Sequence, residues 1–86
     1  MEKTIIANGN NVKTEMLSIV RNIIKANGWT QKKAADVLKI DQPKVSAIVN
    51  LKTKGFSLDR IFMFLSLLGY EVEITVKKAN ELHVVG

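Results

Sequence analysis

The amino-acid sequence predicts a mainly α-helical domain of about four short helices followed by one C-terminal β-strand. Three observations carry that expectation. Apolar residues recur at three- and four-residue spacing between residues 14 and 68. Helix-start residues (Thr14, Thr30, Asp41, Ser57) and helix-stop residues (Asn27-Gly28, Gly69) divide this stretch into separate elements. Beyond Gly69 the apolar period shortens to two. With 86 residues, 47% of them hydrophobic and 24% charged, the chain has material for one core and not for two.

The first helix is expected to start at Thr14, an N-cap with Glu15 at the positive end of the helix dipole. Its apolar stripe is Met16, Leu17, Val20, Ile23 and Ile24, and Gly28 supplies the left-handed residue that ends it. Ahead of it, residues 1–12 read as an N-terminal arm. Within that arm Thr4 to Ala7 is either a short strand or unpaired, and 8–11 is a turn-prone Asn-Gly-Asn-Asn cluster. Thr30 opens a second helix of about two turns, in which Ala34, Ala35, Val37 and Leu38 are apolar. After Lys39-Ile40, Asp41 caps a third helix, Gln42 to about Asn50, with Pro43 in the first turn where its missing N–H costs nothing. A loop over 51–56 leads to Ser57, which caps a fourth helix ending near Leu68. Tyr70, Val72, Ile74 and Val76 then alternate with Glu71, Glu73, Thr75 and Lys77, the pattern of a half-buried strand over 70–78. Residues 79–86 read as a tail, and the whole chain, 1–86, as a single domain around a helical core over 14–68.

Composition excludes several kinds of chemistry. Without cysteine there is no disulfide, no thiol nucleophile and no thiolate zinc site. The single histidine, His83, lies in the tail, and Glu71 with Glu73 lacks the nucleophile or further acids of a hydrolytic site. No catalytic residue, metal or cofactor is therefore expected. No apolar run approaches the roughly 18 residues of a membrane span, and the N-terminus is too short and broken for a secretory signal. A cytoplasmic protein with no membrane partner is expected. Thirteen Lys and Arg against eight Asp and Glu leave a net charge of +5.

That charge is concentrated. Between residues 30 and 54, six lysines (32, 33, 39, 44, 52 and 54) face two aspartates (36 and 41), leaving +4 on the second and third helices and the loop after them. The same segment has the spacing of a helix-turn-helix: small Ala35 where one helix crosses the other, apolar Ile40 in the turn, and Val45 and Ile48 returning to the core. At about 100° per residue, Val45, Ile48 and Val49 share the inner side of the third helix. Pro43, Ser46, Ala47 and Asn50 share the outer side, flanked by Gln42 and Lys44. A polar, uncharged face of this kind suits base edges in a DNA major groove, where Gln and Asn pair bidentately with adenine and Ala47 or Pro43 meets a thymine methyl. The lysines suit phosphates. The expected DNA-binding residues are thus Gln31, Gln42, Pro43, Lys44, Ser46, Ala47, Asn50, Lys52 and Lys54. Each also has a plainer reading: a surface glutamine, a solvated lysine, a proline that only starts a helix. Trp29, between two helices, reads as a core anchor.

At these residues the chain resembles the Cro/C1-type (XRE) helix-turn-helix family, through Thr30-Gln31, Ala35, Leu38, Ile40, Gln42, Val45, Ser46, Ile48 and Asn50. The runs at 28–31, 40–46, 56–58 and 69–74 are more specifically similar to the HigA-like antitoxins. The resemblance implies a lambda-repressor-like fold, a homodimer on a near-palindromic double-stranded DNA operator, autorepression, and a cognate small toxin as a further partner. One departure is Lys39, where most members carry glycine; a non-glycine residue in αL costs about 1–2 kcal/mol. Two other readings fit the residues: a stand-alone or phage-type repressor without a toxin, and a module that docks an acidic protein.

The fourth helix carries apolar residues on two sides. Leu58, Ile61, Phe62, Leu65 and Leu68 form the expected core stripe, and Met63, Phe64 and Leu67 fall on the other side near Arg60. In so small a protein the second stripe needs a cover, and the lone strand needs a neighbour. Met63, Phe64, Leu67, Val72 and Ile74 are therefore the expected dimerisation residues, with a symmetric partner satisfying both.

Overall fold

The computed structural model describes residues 2–6 and 11–78. Four helices follow one another: α1 Val12–Ala26, α2 Gln31–Leu38, α3 Gln42–Val49 and α4 Leu58–Leu67. The expected tail over 79–86 and most of the Asn-rich turn at 8–11 lie outside the described residues.

α1 starts two residues earlier than Thr14. Asn11 takes the N-cap position without a side-chain capping bond, and its carbonyl accepts from the Glu15 N–H at 2.9 Å. The reason is packing. Val12 lies one turn before Met16 and extends the same apolar stripe onto the core, so burial outweighs the better cap at Thr14. The other three starts follow side-chain chemistry. Thr30 Oγ1 accepts from the Lys33 N–H at 3.0 Å, Asp41 Oδ1 from Lys44 at 3.0 Å and Ser57 Oγ from Arg60 at 3.1 Å.

All four helices end the same way, with an N–H just past the helix reaching back to the carbonyl five residues earlier. These bonds run from Trp29 to Ile24 (3.3 Å), Ile40 to Ala35 (3.1 Å), Lys52 to Ala47 (2.9 Å) and Tyr70 to Leu65 (2.8 Å). The geometry requires a left-handed residue just before each donor. Gly28 and Gly69 supply it at no cost, while Lys39 (φ 58°) and Leu51 (φ 54°) adopt it against their own preference.

The core brings together one face of every helix. Leu17 and Val20 of α1, Leu38 of α2, Val45 and Ile48 of α3, and Ile61 and Phe64 of α4 are fully enclosed. Burying each such side chain contributes about 1.5–3 kcal/mol. Ala34 and Ala35 are the small residues through which α2 meets its neighbours, and Trp29 packs against the core edge. No helix among the described residues is long and apolar enough to cross a membrane.

Two expectations are corrected. Among the described residues there is no strand: 71–78 is exposed along its length and makes no backbone hydrogen bond to another described residue. The alternation is present in sequence, but a strand exists only with a ladder partner, and the described residues offer none. The second correction is Phe64, which is 0% exposed instead of facing outward. The loop after α3 folds back so that Phe56, itself buried, meets the Phe64 ring edge-on with centroids 5.9 Å apart. The inner side of α4 is thus centred on Ile61, Phe64 and Leu65, while Leu58, Phe62 and Leu68 are half-buried at its margin. Met63 and Leu67 remain exposed, at 45% and 37%.

Candidate nucleic-acid interface

α2 and α3 form a tight helical corner joined through Lys39, Ile40 and Asp41. The left-handed Lys39 turns the chain, the Ile40 N–H closes onto Ala35, and Asp41 immediately caps α3. The start of α3 is therefore fixed by one left-handed residue and two backbone-directed hydrogen bonds, and Val45 and Ile48, both fully buried, fix its rotation. What α3 turns outward follows from that rotation. Gln42, Pro43, Lys44 and Asn50 are exposed, and Ser46 and Ala47 are half-buried between them. Gln31, in the first turn of α2, is exposed as well.

The charge pattern holds in three dimensions. Lys32, Lys33, Lys39, Lys44, Lys52 and Lys54 are all exposed on the corner and on the loop that leaves α3. Lys52 occupies a telling position. In the terminating motif of α1, α2 and α4, the residue that donates back to the helix is apolar: Trp29, Ile40 and Tyr70. Such a residue normally packs on the last turn. In α3 the same slot holds Lys52, whose backbone is pinned to Ala47 while its side chain is exposed. A cation on an anchored backbone next to a polar helix face is well suited to a phosphate.

Asn50 is placed differently from the expectation of a free base-reading amide. Its Nδ2 donates to the Ser46 carbonyl at 2.9 Å, and the same nitrogen lies 3.5 Å from Ser46 Oγ. In this state the side chain closes the end of α3, with one of its two N–H donors committed to the Ser46 carbonyl. Sequence reasoning also passed over Leu51, whose left-handed backbone sets the direction of the 52–54 loop; the absence of glycine there removed the usual signal. From sequence, Arg60 is only a neighbour of the outer stripe of α4. Its guanidinium lies 5.8 Å from the Phe64 ring centroid, and its buried Nε has no hydrogen-bond partner among the described residues.

Comparison with known proteins agrees with this geometry. A model of the helix-turn-helix domain family matches residues 6–77. A solved structure described as an XRE family transcriptional regulator is 36% identical over 81% of this chain and 79% of that one, with a TM-score of 0.76. The chain belongs to the XRE-type helix-turn-helix family. No curated protein matches it significantly. Membership in this family makes the chain a DNA-binding regulator, with α2 and α3 as its helix-turn-helix. At the turn of this corner Lys39 takes the left-handed geometry that a glycine would take without strain.

Proposed function

We propose that this XRE-type protein is a dimeric, sequence-specific repressor that reads DNA with α3 and blocks transcription by occupying its operator. The observation that carries this reading is the outward face of α3. Gln42, Pro43, Lys44 and Ala47 lie on one side of a helix whose opposite side is locked into the core, with exposed lysines before and after it. In this arrangement the first turn of α3 enters the major groove, Gln42 meets a base edge, and Pro43, Ser46 and Ala47 lie along the groove. Gln31, Lys44, Lys52 and Lys54 meet phosphates on either side. Met63 and Leu67, exposed side by side on α4, supply the helical part of the dimer contact.

The proposal extends to the antitoxin class. The similarity of 28–31, 40–46, 56–58 and 69–74 to HigA-like antitoxins supports it, and so does the exposed acidic pair Glu71 and Glu73, which complements a small basic toxin. Pull-down of the product of the adjacent reading frame, with and without Glu71→Lys and Glu73→Lys, tests this extension; undiminished capture by the double variant rejects the acidic contact.

Titration against the chain's own upstream DNA at several salt concentrations tests the main reading. Operator binding that exceeds binding to a scrambled duplex, with affinity falling linearly on a log–log plot against salt, is the expected result. Absence of binding to any duplex at low salt would favour the protein-docking module instead.

A further inference from the structure

The segment after α4 ends in a state that one chain cannot complete. Residues 71–78 are exposed and hydrogen-bonded to no other described residue, yet Ile74 and Val76 show 69% and 89% of their surface to solvent and Val72 39%. With residues 2–6, this segment walls a groove whose floor is Val12, Met16 and Ile19 of α1 and Leu58, Phe62 and Leu65 of α4. An apolar, unpaired edge beside an apolar floor is a template for one more strand.

We propose that the added strand is the same segment of a second copy, paired antiparallel about a two-fold axis through Ile74. The register follows from the sequence itself. Residues directly opposite in an antiparallel pair project from the same face, so a register that keeps the apolar residues together must centre on a residue, not between two. Centring on Glu73 sets two carboxylates face to face, which is destabilising. Centring on Thr75 sets Val72 against Lys78. Centring on Ile74 places Ile74 on its own copy, Val72 on the partner's Val76, and Glu71 on the partner's Lys77, twice over. One face of the ribbon then joins Val72, Ile74 and Val76 of both copies, with Tyr70 opposite Lys78 at each end, and the other face carries two cross-strand ion pairs. The second copy is therefore the occupant that charge complementarity selects. This inference deepens the dimeric repressor reading and rests on its dimer.

Because the chain has no cysteine, single cysteines report the register directly. In Ile74→Cys the two thiols are directly opposite, within reach of a disulfide; in Val72→Cys or Val76→Cys they are four residues out of step, roughly 13 Å apart. Oxidised glutathione should link Ile74→Cys at least ten-fold faster than either single variant, and Val72→Cys combined with Val76→Cys should link as well as Ile74→Cys. Glu71→Lys and Lys77→Glu should each raise the dimer dissociation constant about ten-fold, and the two together should restore it. Circular dichroism checks that the helices persist, since all five positions are exposed and outside the helical core. Equal linking at 72, 74 and 76, or no rescue by the charge swap, overturns the register while leaving the dimer standing. A monomer in sedimentation at every concentration overturns the pairing itself, and operator titration of the same sample reads the DNA-binding claim independently.

Discussion

Lys39 and Leu51 hold the two turns that frame α3, and both do so at positive φ with a side chain that disfavours it. The surroundings over-determine the conformation: in each case the following N–H closes the helix end, onto Ala35 in one and Ala47 in the other. Lys39 is exposed, so replacing it by glycine removes strain and little packing. Lys39→Gly should stabilise the fold by about 1 kcal/mol, raising Tm by about 4–8 °C in a scanning calorimeter. Leu51→Gly should gain far less, because Leu51 packs against the core and its burial is lost. Asn50 poses the opposite question, since its amide is already engaged with Ser46. Asn50→Ala should cost stability before it costs specificity, a difference visible by measuring Tm and operator discrimination on the same sample.

At the scale of elements, what was legible in the sequence was whatever rests on a few adjacent residues. Thr30, Asp41 and Ser57 each announce a helix start because the capping bond spans only three residues, and all three bonds are present. The outer face of α3 was legible for the same reason: Val45 and Ile48 fix it from within the helix. What depends on distant chain was not. Phe64 looks outward on an isolated wheel, and only the return of Phe56 shows which side of α4 is covered. The alternation over 70–76 reads as a strand, yet hydrogen-bonding partners decide that, and periodicity is silent about them. The corrected core has a consequence. Phe64→Ala should cost about 3–5 kcal/mol in denaturant unfolding, whereas Met63→Ala, at an exposed site, should cost little in the monomer.

For the whole molecule, the helical bundle is a mount that presents one short helix. All four helices contribute large buried side chains (Leu17 of α1, Leu38 of α2, Ile48 of α3, Ile61 and Phe64 of α4), so the orientation of α3 is inherited from the core. In the proposed dimer, the pairing sets how two such helices address one operator. Leu67→Asp, placing a carboxylate where a partner would bury it, should shift sedimentation towards the monomer and lower operator affinity in parallel. A variant that stays dimeric would move the helical part of the interface away from Met63 and Leu67.

The central claim is that α3 reads bases while the lysines after it hold phosphates, and it is tested by one set of binding titrations. Wild type, Gln42→Ala and Lys52→Ala are compared on operator and on scrambled duplex at several salt concentrations. Gln42→Ala should lose about 1–3 kcal/mol on the operator and almost nothing on the scrambled duplex, with its salt slope unchanged. Lys52→Ala should weaken both duplexes alike and reduce the salt slope by about one. If Gln42→Ala weakens both duplexes equally while Lys52→Ala affects only the operator, the protein does not dock through the first turn of α3.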